Sequence, residues 1–155
     1  MRKPRPWELD ILLGEDTPSD IELFQMALER CGQVRSLNIV RDGEELVSYL
    51  RGDPPFEAEK RPSPNVIIMD LKMPRMDGFD VLSWLGNHPD CSVIPAIVLS
   101  SSREEADVAK AYKLGANAFF SKPANFADLE EILRLIFEFW DRAVRPPLKK
   151  PICAA

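Results

Sequence analysis

The chain has 155 residues, of which 45% are hydrophobic and 29% charged, with a formal net charge of -5, so it can bury one core of ordinary size and is too short for two. Charges of both signs are scattered rather than blocked, which argues against nonspecific nucleic-acid binding and points to protein partners. Cys31, Cys91 and Cys153 are an odd set with no C-x-x-C spacing, which indicates neither a disulfide framework nor a zinc site and suits a reducing cytosol.

The start, Met1 to Trp7, is basic but leads into a run broken by Asp10 and Glu15, too charged for a secretory signal. No segment reaches transmembrane length. Residues 1–8 read as an extension, and the first strand as Leu9 to Gly14, followed at once by Glu15-Asp16. A helix then starts near Ser19-Asp20. It sets Ile21, Phe24, Leu28 and Cys31 at helical spacing before Gly32 stops it.

Ser36 to Val40 is the second strand, and Asp42 with Glu45 three residues on opens a helix through Leu46, Tyr49 and Leu50 that Gly52 ends. Four prolines make 53–65 a surface loop. Val66 to Met69 is a wholly apolar third strand crowned by Asp70, and after a loop to Gly78 the residues Phe79, Val81, Leu82 and Leu85 give a short helix. The single histidine, His88, falls in the turn Asn87-His88-Pro89-Asp90 and reads as a loop residue.

Ile94 to Leu99 forms the fourth strand, with Ser100 at its end, and Ser102-Arg103-Glu104-Glu105 reads as a capping box for a fourth helix. That helix carries Val108, Ala111, Tyr112 and Leu114, and Gly115 terminates it. The fifth strand, Ala118 to Phe120, leads to Ser121, Lys122 and Pro123. Asn125 caps the last helix, whose stripe is Phe126, Leu129, Leu133, Ile136 and Trp140. Leu135 and Phe139 form an i, i+4 pair off that stripe and are expected to face a partner. From Arg142 on, Pro146-Pro147 and Pro151 predict a flexible tail, 142–155.

Strands alternating with helices predict an α/β chain with helices on both faces of a parallel sheet. Such sheets gather ligands beyond the carboxyl ends of their strands. Glu15-Asp16, Asp70, Ser100 and Lys122 all stand at such ends. With the run Asp70-Leu71-Lys72-Met73-Pro74-Arg75-Met76-Asp77-Gly78, the sequence from about Leu9 to Trp140 resembles the receiver domain of two-component response regulators, the CheY-like family. The resemblance implies a flavodoxin-like, doubly wound, five-stranded parallel sheet of order 2-1-3-4-5 with five helices, and a receiver domain over 9–141.

It further implies that Asp70 accepts a phosphoryl group from a sensor histidine kinase, with Mg²⁺ held by Asp16, Asp70 and the backbone carbonyl of Lys72, and by Glu15 through water. Lys122 and Ser100 would bind phosphoryl oxygens, Phe119 would be the switch aromatic, and Lys122-Pro123 would be a cis bond. Lone carboxylates and a lone lysine are ordinarily solvated; the coincidence of all of them at strand ends gives the functional reading its weight.

Asp42-Gly43-Glu44-Glu45, Pro74 to Gly78, Leu114 to Asn117 and Phe139-Trp140 resemble the standalone regulators of bacterial and cyanobacterial phytochromes, which implies a cytoplasmic single-domain protein that signals through a downstream protein target. In that subfamily dimers form through C-terminal elements, which assigns Leu135 and Phe139 to a homodimer interface. The chain would be a phosphoacceptor that assists its own phosphotransfer and dephosphorylation rather than an enzyme. A phosphorylation-independent adaptor is the alternative. A Mg²⁺-dependent phosphatase would want a second Asp where Lys72 stands, and an FMN binder would want a Ser/Thr-rich cradle where the acidic Glu15-to-Ser19 loop runs.

Overall fold

The computed structural model describes residues 6–57 and 61–148. Its central strands are those the sequence leaves without a polar face: β3 (Val66–Met69) and β4 (Ala96–Ser100) are buried at every position, as parallel strands covered on both sides must be. β1 (Pro6–Gly14) lies between β3 and β2 (Gln33–Val40), and β5 (Ala118–Ser121) closes the far edge. All pairings are parallel, in the order β2-β1-β3-β4-β5, as the sequence reading has it.

Alternate residues of the strands feed two cores. Leu9, Ile11 and Leu13 of β1 pack with α1 (Pro18–Cys31) and α6 (Phe126–Arg142), while Leu12 faces α2 (Gly43–Arg51) and α3 (Gly78–Gly86). On that second side lie also the single turn α4 (Pro89–Ser92) and α5 (Glu105–Lys113). There are thus six helices among the described residues rather than the expected five. The extra turn forms because Pro89 is preset for a first helical position, and both Cys91 and Ser92 donate their amides to the carbonyl of His88.

Local chemistry explains the other departures. β1 begins at Pro6, inside the expected extension, because Trp7 is buried against Phe137, ring centroids 5.4 Å apart, and against the bare face of Gly32. Phe137, absent from the expected stripe of α6, is fully buried. Ser102 does not cap α5: Glu104 holds that position, and the Ser102 hydroxyl donates instead to Asp107 Oδ2 at 2.6 Å. Asp42 and Asn125 do cap, accepting the amides of Glu45 and Asp128.

Past α6, Arg145 donates to the carbonyl of Trp140 and Leu148 packs on the α2/α3 core, so 143–148 lie against the domain where a flexible tail was expected. The rest of that tail, 149–155, is outside the described residues. Cys31 is free and buried, with its thiol pushed up to about 11 by burial, whereas Cys91 is disulfide-bonded, contrary to the reading from cysteine spacing. No helix of the described residues is long and apolar enough to cross a membrane.

Candidate functional site

Three strand ends are tied into one edge by backbone bonds. Glu15 donates its amide to Val40, Asp70 to Gly14, and Lys122 to Ser100, at 3.0, 3.0 and 2.8 Å. Side chains leaving β1, β3 and β5 therefore converge. The Lys122 ammonium sits 2.6 Å from Asp70 Oδ2, 3.0 Å from Glu15 Oε2 and 2.8 Å from Asp20 Oδ2, around a cavity of ≈ 70 Å³ that Leu23 and Pro123 also line.

Burial alone would lower the lysine's pKa, but its hydrogen bonds to Asp20, Asp70 and Glu15 more than reverse this and hold it above the usual lysine range. Glu15 moves upward, because its burial outweighs the bond and charge of Lys122. Three carboxylates thus surround one ammonium at this point.

The loop after Asp70 is pinned on both sides. Lys72 donates its amide to Asp70 Oδ1 at 3.3 Å, Gly78 donates to the Leu71 carbonyl at 2.9 Å, and Gly43 at the start of α2 donates to Met76 O at 3.0 Å. A Cβ on Gly78 would stand 2.6 Å from Asp70 O, so only glycine lets the chain pass this close to the carboxylate's own backbone.

Of the residues expected at the site, Glu15, Asp70 and Lys122 are brought into contact. Asp16 and Lys72 line the adjoining hollow with Asp77, Ser102 and Asp107. Ser100 is fully buried, and its hydroxyl accepts the Ser102 amide at 3.3 Å. Phe119 is half-buried against the α2/α3 core and donates its amide to the Tyr112 hydroxyl. The Lys122-Pro123 bond is not cis; the cis bond among the described residues joins Pro54 and Pro55.

Leu135 and Phe139 are 59% and 62% exposed and flank a groove of ≈ 820 Å³ with Phe120 and Trp140. The residue missed from sequence is Asp20, read there only as a helix start. Its signal was available: α1 begins at the carboxyl edge of β1, so an acid in its first turn must lie near that edge.

Residues 11–134 match the model of the response regulator receiver domain. The chain belongs to this family. Response regulator Rcp1 of Synechocystis sp. is 36% identical over 137 residues, 88% of this chain and 92% of Rcp1, and its Mn(2+)-bound structure superposes with a TM-score of 0.78 over 90% of this chain and 99% of Rcp1 as solved, at 34% identity. The phosphorylated cyanobacterial phytochrome response regulator RcpA gives 35% identity and a TM-score of 0.78, covering 90% and 99% of the two chains. Response regulator RPA3017, in red light signaling of R. palustris, gives 32% and 0.84 over the same shares.

The protein is therefore a receiver-domain response regulator of two-component signalling, a family whose members are generally not classical enzymes and whose partner is a histidine kinase. Receiver domains generally bind Mg²⁺. The donor chemistry here suits one, since the carboxylates at this edge offer the hard oxygens that Mg²⁺ prefers. Among the described residues no three acids, cysteines or histidines already stand as a metal-holding group, because the convergence is on the lysine ammonium instead.

Proposed function

We propose that the protein accepts a phosphoryl group on Asp70 from the phosphohistidine of a sensor kinase and signals by changed protein contacts. A carboxylate oxygen of Asp70 attacks phosphorus; the new P–O bond forms as the P–N bond breaks, and the imidazole nitrogen keeps the electron pair and takes up a proton. Water later attacks the same phosphorus, releasing inorganic phosphate and restoring the carboxylate. Mg²⁺, held by Asp16, Asp70 and the Lys72 carbonyl, with Glu15 through water, would neutralise charge on the phosphoryl oxygens. Lys122 and Ser100 bind those oxygens, and Phe119 repacks as the hydroxyl of Ser100 is drawn in.

The observation that carries this reading is the buried carboxylate of Asp70 with the Lys122 ammonium 2.6 Å away at the carboxyl edge of a parallel sheet. The kinase we assign is a phytochrome, on the strength of the likeness to RcpA. The regulatory domain we assign reaches from Pro6 to Leu148, since Trp7 and Leu148 both pack on its cores, and the setting we assign is cytoplasmic. The exposed pair Leu135 and Phe139 on α6 is assigned to a homodimer interface.

Intact mass after incubation with acetyl phosphate tests the central step. One phosphoryl should be gained only with Mg²⁺ and not by Asp70→Asn. A chain that gains none, and that also fails to bind beryllofluoride, is an adaptor and not a phosphoacceptor.

A further inference from the structure

We infer that Asp20 is a positioning residue for the phosphoryl site, acting through Lys122; this rests on the phosphoacceptor reading above. An ammonium has three N–H bonds, and each here has its own carboxylate: Glu15, Asp20 and Asp70. Phosphorylation replaces the Asp70 acceptor by a phosphoryl oxygen at the same place. The other two acceptors then decide whether the third N–H still points there.

Glu15 is shared, since its Oε1 also accepts the Thr17 amide at 3.2 Å and its carboxylate lies on the side proposed for the metal. Asp20 accepts no second hydrogen bond among the described residues. It lies at the third position of α1, where an acid ordinarily reaches back to the amide of the N-cap. That amide, Thr17 N, is taken by Glu15, and the Asp20 carboxylate turns across to β5 instead, 102 residues along the chain, to meet Lys122 at 2.8 Å. A helix acid that forgoes its local bond for a site lysine is held there by the site. Without it the lysine keeps one tether and swings, so its charge is spread over several positions instead of being fixed on the phosphoryl oxygen.

The test is a double-mutant cycle read by beryllofluoride binding at saturating Mg²⁺, with urea melts confirming that each variant is folded. Asp20→Ala should weaken binding about ten-fold, about the strength of one charge-assisted hydrogen bond, and Asp20→Asn, whose amide oxygen still accepts, should recover part of it. In a Lys122→Met background Asp20→Ala should change nothing beyond two-fold. An equal loss in both backgrounds, no loss, or tighter binding overturns the inference, the last because Asp20 would then compete with phosphate for the lysine.

If Lys122→Met binds too weakly to measure, the side-chain NH₃⁺ signal of Lys122 decides by nuclear magnetic resonance: its protection from water exchange must fall in Asp20→Ala, and unchanged protection overturns the inference. Wild-type protein that fails to bind beryllofluoride sinks the phosphoacceptor reading and this inference together, an outcome distinct from a wild type that binds and an indifferent Asp20.

Discussion

Gly43→Ala sets two effects of opposite sign against each other. Gly43 is the first residue of α2, and helix preference alone predicts a gain of about 0.5 to 1 kcal/mol for alanine. The structure predicts the reverse. A Cβ built there lies 2.2 Å from the Met76 carbonyl oxygen, where ordinary contact begins at 3.4 Å, so the loop must retreat by about 1 Å. That movement gives up the 3.0 Å bond from Gly43 N to Met76 O, costing about 0.5 to 1.5 kcal/mol for the bond and about 1 to 3 if the buried amide finds no other acceptor. Net destabilisation should be about 2 kcal/mol, a fall of about 4 to 8 °C in Tm for a domain of this size. Gly86→Ala is the control, since nothing lies within 4 Å of its Cβ, and it should gain about 0.5 kcal/mol from helix preference alone. Urea denaturation of the three proteins reads both. A Gly43→Ala protein as stable as wild type would refute the reasoning, because the loop would then be free to yield.

Burial raises the Glu15 carboxyl above its ordinary 4.5, so between those values the folded state holds a proton that the unfolded state has lost, and stability of the metal-free protein falls as pH rises through that window; Glu15→Gln should abolish this fall in urea midpoints measured against pH. Lys122, raised from 10.5, is likewise protonated longer in the folded state. Its stabilisation is complete below 10.5 and is lost as pH climbs through the raised value, a loss that Lys122→Met should not show. Trp7→Ala should cost about 3 to 5 kcal/mol, since the ring is buried between Phe137 and Gly32; a cost under 1 kcal/mol would mean the segment before Leu9 is dispensable. Leu135→Ser with Phe139→Ser should leave monomer stability within about 0.5 kcal/mol and abolish any dimer in sedimentation, and a dimer that survives removes α6 as its interface.

The parallel sheet and the edge on which the site lies were legible from pattern, because apolar runs without a polar face must be central, and acids and a lysine placed just after them must share one end; the strand order came with the family resemblance. What failed was finer. Ser102 looked like a cap, but the cap position falls two residues later, at Glu104, and the Ser102 hydroxyl donates to the Asp107 carboxylate that the fold brings near instead of accepting the amide of an N3 residue. Trp7 looked like a mere preface to the first strand because its partners, Phe137 and Gly32, lie far off in sequence. Leu148 looked like tail because proline-rich flanks conceal one apolar residue that packs back onto the core. Asp20 was visible only as local helix chemistry, since its contact spans 102 residues. Local rules find the acid; topology decides what it touches.

The same topology limits how a change at Asp70 can leave the site. Lys122 stands three residues after Phe119 on a short edge strand whose inner side is bonded to β4. On its outer side the Phe119 amide donates to the Tyr112 hydroxyl at 3.1 Å, and Tyr112 belongs to α5, which also lays Lys110 over the Phe79 ring of α3 at 4.3 Å. On the proposed reading, a shift of the Lys122 backbone on phosphorylation would carry Phe119 and Tyr112 with it, or break their bond. A hydrogen bond of this kind is worth about 1 kcal/mol net, within the range of about 1 to 3 kcal/mol that suffices to couple two sites several-fold. Tyr112 is 48% exposed, so either outcome alters a surface that a partner can read, and neither requires the sheet itself to move.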